Sequence, residues 1–194
     1  MYSKKIKKIS MKFRELGSTG MKISEIGFGT WGIGGNSYGP VDDNVAKMAL
    51  EKALERGINF FDTSDIYGDG HSEELLGNVF SSRRKDVIIA SKGGTLPHKG
   101  FYMPQNFSSE HLERALDKSL VRLRTDYIDL YQLHSPTIED MEKGVSIETL
   151  EKMKKKGKIR EFGVSVRSPN DGMLAIQKYN FPVIQVNYNL IDQR

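Results

Sequence analysis

The chain contains no cysteine. It therefore has no disulfide, no thiolate nucleophile and no cysteine-ligated zinc or iron–sulfur site. It also has no apolar run near the ~18 residues that cross a bilayer, no H-E-x-x-H zinc signature and no G-x-x-x-x-G-K-[ST] phosphate loop. Its four histidines are scattered along the chain, so we expect no metal site. Charged residues make up 28% and hydrophobic residues 38%, which indicates one globular, cytoplasmic domain.

Positive charge is concentrated in the first ten residues. They include Lys4, Lys5, Lys7 and Lys8 and no acid, so removing residues 1–10 takes the formal net charge from +4 to 0. This segment lacks the continuous apolar stretch of a signal peptide. We interpret residues 1–10 as a basic extension and residues 11–194 as the folded domain, with a tail that touches RNA or a membrane as the weaker alternative. Nucleic acid and membranes are therefore not expected partners.

The rest of the chain alternates short apolar segments with amphipathic helices. A β-hairpin is predicted first, over KFREL-GSTG-MKISEI, with Gly17 to Gly20 at its turn. Strand candidates separated by helical patterns favour a parallel sheet that is covered on both faces. The six candidates are IGFGT, INFFD, VIIASK, YIDLYQLH, IREFGVSV and PVIQVNYNL.

Two parallel architectures compete for this pattern. Gly27, Gly29 and Gly32 match the dinucleotide fingerprint G-x-G-x-x-G, but that motif requires a helix to begin inside it. Here the chain stays irregular until about Val41. In a (β/α)₈ barrel, by contrast, the functional residues come from the ends of many strands. Polar residues at or near the ends of five successive candidates favour the barrel: Asp62, Lys92, His134, Ser165 and Gln185.

Three of these residues, Asp62, Lys92 and His134, form a proton-transfer set together with Tyr67. Taken singly, Asp62 is explained as a turn residue, Tyr67 as a packing aromatic and His134 as a core histidine. Lys92 continues the inward face of its strand, so its ammonium needs a carboxylate partner. Together, Asp62 would hold Lys92 charged, and Lys92 would lower the pKa of Tyr67 from about 10. Tyr67 would then protonate a carbonyl oxygen that His134 orients, with hydride from a cofactor.

The segments around these residues resemble the aldo-keto reductases. The resemblance runs from about Met11 to the end of the chain and is carried by GINFFDTSDIYGDGHSEELLG, VIIASKGG, DYIDLYQLH, EFGVSV and VIQVNYNL. It implies a (β/α)₈ barrel that binds NADPH without a Rossmann domain and reduces small aldehydes or ketones to alcohols. It also implies that Asp62, Tyr67, Lys92 and His134 are the catalytic residues.

The resemblance further assigns the binding residues. Thr30 and Asp62 would lie beside the cofactor, and Ser165 and Gln185 would hold its carboxamide. Trp31 and His134 would contact the substrate. In the family an asparagine usually follows the serine, whereas Val166 stands here.

Only six of the eight barrel strands have a counterpart in the chain. We therefore expect a barrel truncated after about six strands, whose exposed sheet edges favour self-association. In the family, the last two strands and their loops carry many of the residues that bind the cofactor phosphates. Two alternatives thus stay open beside a working reductase. One is a catalytically silent, truncated reductase, and the other is a regulatory subunit like the family's potassium-channel β-subunits.

Overall fold

The computed structural model describes residues 10–35, 38–97 and 103–191. A two-stranded antiparallel hairpin is followed by one six-stranded parallel sheet whose strands lie side by side in chain order. The strands are β1 Phe13–Glu15, β2 Lys22–Ser24, β3 Phe28–Gly29, β4 Phe60–Asp62, β5 Ile88–Gly93, β6 Ile128–His134, β7 Ile159–Ser165 and β8 Ile184–Gln185. The six parallel strands form part of a (β/α)₈ barrel, and the predicted hairpin and the predicted six parallel strands are both present.

Helices connect the successive strands. They are α1 Asp43–Glu55, α2 His71–Phe80, α3 Ser109–Leu123, α4 Ile138–Glu142, α5 Val145–Lys155 and α6 Pro169–Gln177, with 3₁₀ turns at Gly32–Gly34 and Ser81–Asp86. The glycine-rich segment after β3 leads into α1 only at Asp43, as expected for a chain without a Rossmann motif. The short helix α4 was not predicted. None of the helices in the described ranges is long and apolar enough to span a bilayer.

The sheet carries a separate apolar cluster on each face. The larger cluster fills the space between the sheet and the helices, and it includes Phe61, Leu76, Leu116 and Tyr131. A smaller cluster lies on the opposite, inner face and consists of Ala90, Leu130 and Val183, with Phe60 partly buried against it. Leu16 and Met21 of the hairpin pack on this smaller cluster. The hairpin therefore closes the inner face at the amino ends of the strands.

The inner face becomes polar toward the carboxyl ends of the same strands. Strand register makes Asp62 a neighbour of Ala90, and Lys92 a neighbour of Gln132. His134 is in register with Ser165, and Ser165 with Gln185. Because side chains alternate between the two faces of a strand, these polar residues share the face of the small apolar cluster. The alternation thus places them together, above that cluster.

Helix α3 offers a test of local stability. Ser108 precedes it in extended conformation, and its hydroxyl accepts a hydrogen bond from the backbone N–H of His111. Ser108→Ala is expected to lower the free energy of unfolding by about 1 kcal/mol, since a helix N–H loses its partner. Urea denaturation followed by circular dichroism measures this change. Ser109→Ala, one residue inside the helix, is the control, and an equal loss in both variants would contradict the capping role.

Candidate active site

The four proton-transfer residues come together at the carboxyl ends of the strands. Asp62 is the last residue of β4, Lys92 lies in β5 and His134 ends β6. Tyr67 lies in the loop between β4 and α2. The rings of Tyr67 and His134 are 6.1 Å apart, edge to face. The structure thus brings together residues from three strands and one loop.

Lys92 is the centre of this group. Its side chain is buried, and its Nζ donates to both carboxylate oxygens of Asp62, at 2.8 and 2.7 Å, and to the backbone oxygen of Thr63 at 2.9 Å. Nζ also lies 3.3 Å from the hydroxyl oxygen of Tyr67. A buried ammonium is tolerated when it is paired and hydrogen-bonded in this way. The predicted contacts of Lys92 with Asp62 and Tyr67 are both present.

The pKa of Tyr67 differs from the sequence-based expectation. Burial raises it above the usual value of 10.0, and the Lys92 ammonium offsets only part of that effect. The lowered pKa predicted from the sequence was therefore wrong in its net direction, because desolvation of the phenolate outweighs the nearby positive charge. Tyr67 consequently keeps its proton at neutral pH, which is the state that a general acid requires.

The loop that carries Tyr67 lies close to the 3₁₀ turn after β3. Gly68 adopts a positive φ of +62°, and a Cβ at this position would lie 2.1 Å from the carbonyl oxygen of Gly34. No larger residue fits so close an approach of two backbones. Gly68 therefore fixes the position of the tyrosine loop against the turn.

His134 is held from both its ring and its backbone. Its Nδ1 lies 3.1 Å from the hydroxyl oxygen of Ser64. Its backbone oxygen accepts hydrogen bonds from Thr95 Oγ1 at 2.9 Å and from Gln105 Nε2 at 3.1 Å. Sequence analysis did not identify Ser64, Thr95 or Gln105. Ser64 lies two residues after Asp62, which places it near the site but does not indicate its contact with His134.

Thr30 and Trp31 lie beside the tetrad of Asp62, Tyr67, Lys92 and His134. The Thr30 hydroxyl is buried and donates to the backbone oxygen of Asp62 at 2.9 Å, and it accepts a hydrogen bond from Ser72 at 2.6 Å. Thr30 thus supports the end of β4, and its contact with the cofactor remains a prediction. Trp31 is half-exposed, with its ring 6.3 Å from that of Tyr67. This position suits the predicted contact between Trp31 and a substrate, which also remains a prediction.

The two residues predicted to hold the carboxamide of the cofactor are neighbours on adjacent strands. Ser165 and Gln185 face each other in the register of β7 and β8. Gln132, which was not predicted, donates through Nε2 to Gln185 Oε1 at 3.3 Å. Its own Oε1 is buried and has no hydrogen-bond partner within the described part of the chain. Val166, at the position of the family's asparagine, is buried and apolar and supplies no hydrogen bond from its side chain.

Ser165 and Gln185 offer hydrogen-bond donors and acceptors side by side at the strand ends. A primary carboxamide needs both donors and acceptors, which a serine hydroxyl and a glutamine amide supply. The residues that the structure describes contain no cluster of histidine and acidic side chains able to hold a metal ion.

Comparison with known proteins identifies the family. The model of the aldo/keto reductase family matches residues 25–194. The chain belongs to this family. It is 39% identical over 187 residues to the uncharacterized oxidoreductase YqkF of Bacillus subtilis, which covers 95% of this chain and 58% of that protein. The solved structure of aldo-keto reductase AKR11C1 from Bacillus halodurans, in its holo form, is 36% identical with a TM-score of 0.82, covering 92% of this chain and 58% of that one.

Not every relative is described as an enzyme. A probable voltage-gated potassium channel β subunit of Arabidopsis thaliana is 33% identical over 132 residues, covering 65% of this chain and 38% of that protein. The chain spans about half the length of the curated relatives it matches. The family and the barrel fold are therefore shown.

Proposed function

We propose that this aldo/keto reductase chain reduces an aldehyde or ketone to an alcohol with NADPH as the reductant. The observation that carries the proposal is the placement of the buried Lys92 ammonium between the Asp62 carboxylate and the Tyr67 hydroxyl. A structural ion pair would have no need of a phenol as its third member. In a proton-delivery site, that phenol is the acid.

The chain's residues account for the proton side of the reaction. Bound NADPH would supply a hydride to the carbonyl carbon. Tyr67 donates its proton to the carbonyl oxygen as negative charge develops there. Lys92 stabilises the phenolate that Tyr67 becomes, and the carboxylate of Asp62 pairs with the Lys92 ammonium. His134 donates a hydrogen bond to the same oxygen and so fixes its position.

The other predicted residues would orient the reactants. Ser165 and Gln185 would hold the carboxamide of the nicotinamide, beside Thr30 and Asp62. Trp31 would form one wall of the substrate site. The carbonyl substrate would be a small molecule.

Turnover by the 194-residue chain is the direct test. We expect loss of the absorbance of reduced nicotinamide when NADPH and a reactive aldehyde are added together, and no loss when either is omitted. NADH in place of NADPH is expected to react more slowly. Absence of aldehyde-dependent oxidation with both cofactors would contradict the proposed activity.

Cofactor binding can be measured separately. Trp31 is the only tryptophan in the sequence and lies beside Tyr67. Its fluorescence is therefore expected to change when NADPH is added, whether or not turnover occurs. Binding without turnover would favour a silent reductase or a regulatory subunit over an enzyme.

A further inference from the structure

A polar path leads from His134 to a second acid that the tetrad does not include. Ser64 Oγ lies 3.1 Å from His134 Nδ1 and 3.1 Å from Asp65 Oδ1. It also accepts a longer hydrogen bond, of 3.4 Å, from the backbone N–H of Ile66. Ser64 is completely buried. The buried hydroxyl therefore bridges the imidazole of His134 and the carboxyl group of Asp65.

The hydroxyl of Ser64 has one hydrogen, which it can donate either to Asp65 or to His134. An ionised carboxylate accepts hydrogen bonds more strongly than a neutral group, so an ionised Asp65 takes the Ser64 hydrogen. The neutral imidazole of His134 must then place its own hydrogen on Nδ1 to donate to Ser64. When Asp65 carries a proton, it donates to Ser64, and Ser64 is released to donate to Nδ1. The imidazole hydrogen then resides on Nε2.

We propose that Ser64 and Asp65 are positioning residues that set the tautomer of His134, with Nε2–H present while Asp65 is protonated and Nδ1–H present once Asp65 is ionised. The proton that Asp65 loses goes to solvent, and the imidazole keeps one hydrogen in both states. Only the Nε2–H tautomer lets His134 accept from Ser64 at one nitrogen and donate to a substrate oxygen at the other. This proposal rests on the proposed function of His134 as a donor to that oxygen.

The surroundings of Asp65 raise its pKa into the neutral range. Burial, reinforced by the carboxylate of Glu73, raises the pKa of Asp65 from 3.8 to about 7. Glu73 is itself completely buried and paired with Arg122, whose guanidinium offsets part of the shift. Asp65 also lines a cavity of about 220 Å³ beside α3. The titratable and charged groups that face it from the loop, α2, α3 and β6 are Tyr67, Asp69, Glu73, His111, Arg114, Lys118, Arg122 and Tyr131.

The sign of the pH effect follows from these states. With a pKa of about 7, Asp65 would be protonated at lower pH, and His134 would then donate from Nε2. We therefore expect kcat/KM for carbonyl reduction to fall as the pH rises through about 7, by up to about tenfold per pH unit for a single ionisation. Asp65→Asn carries a permanent N–H donor toward Ser64, so it is expected to remove this decline. Ser64→Ala breaks the path and is also expected to remove it.

Asp69→Asn is the matched control. Asp69 lines the same cavity and is exposed, but it makes no hydrogen bond to Ser64 among those that the described residues form. This variant removes the same charge and should keep the wild-type pH profile. A purely structural role for Asp65 would change kcat/KM equally at all pH values. A wild-type decline that persists in both Asp65→Asn and Ser64→Ala would overturn the proposal.

Nitrogen-15 NMR of the histidine side chains measures the tautomer without any substrate. The chain has four histidines, and the His134 signals are identified by their loss in His134→Gln. In the wild type they are expected to change from the Nε2–H to the Nδ1–H pattern as the pH rises through about 7, and in Asp65→Asn to stay Nε2–H. A tautomer that is the same at all pH values in the wild type would overturn the proposal. Because this measurement needs no turnover, it tests the effect of Asp65 on the His134 tautomer even if the chain proves inactive.

Discussion

Tyr67→Phe is expected to lower kcat for carbonyl reduction by about 10²- to 10⁴-fold, the range typical of losing a positioned general acid. Only the hydroxyl is removed, and that hydroxyl lies 3.3 Å from Lys92 Nζ. The ring contacts with Trp31 and His134 are kept, so the fold and the binding of NADPH are expected to persist. Steady-state kinetics with a saturating aldehyde measure the effect.

The matched control is Tyr188→Phe. Tyr188 is largely exposed and lies after β8, so the same loss of a hydroxyl there should leave kcat unchanged. Titration of Trp31 fluorescence with NADPH shows whether both variants still bind the cofactor. A Tyr67→Phe variant that binds NADPH and keeps the wild-type kcat would show that another group delivers the proton.

Lys92→Met is expected to destabilise the fold by about 3 kcal/mol, the lower end of the range for breaking a buried ion pair. The side chain of Lys92 is 2% exposed and that of Asp62 is 17% exposed. The variant therefore leaves a carboxylate that is mostly removed from water and has lost its cation. It also removes the hydrogen bond to Thr63. Urea denaturation followed by circular dichroism measures the change.

Lys52→Met supplies the comparison. Lys52 pairs with Glu55 at 2.7 Å, but both side chains are more than half exposed. An exposed pair contributes about 0–1 kcal/mol, so this variant should unfold almost like the wild type. The double variant Asp62→Asn with Lys92→Met should recover part of the lost stability, because no unpaired charge remains. Equal unfolding midpoints for Lys92→Met and Lys52→Met would contradict the buried pair.

The tetrad could be predicted because each strand-borne member lies at the end of an apolar segment. Asp62, Lys92 and His134 follow that rule, and the carboxyl ends of parallel strands meet at one edge of a sheet. Ser64 could not be assigned to His134 in this way. The two are 70 residues apart, and their contact depends on the course of the loop after β4 as well as on strand register. The path of that loop cannot be inferred from the sequence pattern.

Two other differences between the sequence predictions and the structure have physical causes. The pKa of Tyr67 was predicted to shift in the wrong direction. Charged neighbours can be inferred from the spacing of residues in the sequence, whereas the degree to which the phenol is desolvated cannot. Helix α4 was missed because its five residues, Ile138–Glu142, are too few to show a helical period. The signal for α4 was its first turn, where Thr137 and Asp140 form a capping box. The predicted assignments of Thr30, Ser165 and Gln185 to the cofactor remain predictions.

The hairpin has a consequence for how the protein is made. Leu16 and Met21 pack on a cluster that includes Val183, and the backbone at Gly17 approaches the carbonyl oxygen of Pro182. Contacts between such distant parts of a chain form late, because the intervening loop must close first. During synthesis, residues 13–24 leave the ribosome long before residues 181–185 exist. The apolar support beneath the tetrad therefore cannot be completed until Val183 has been synthesised, although Leu16 and Met21 of the hairpin are made much earlier.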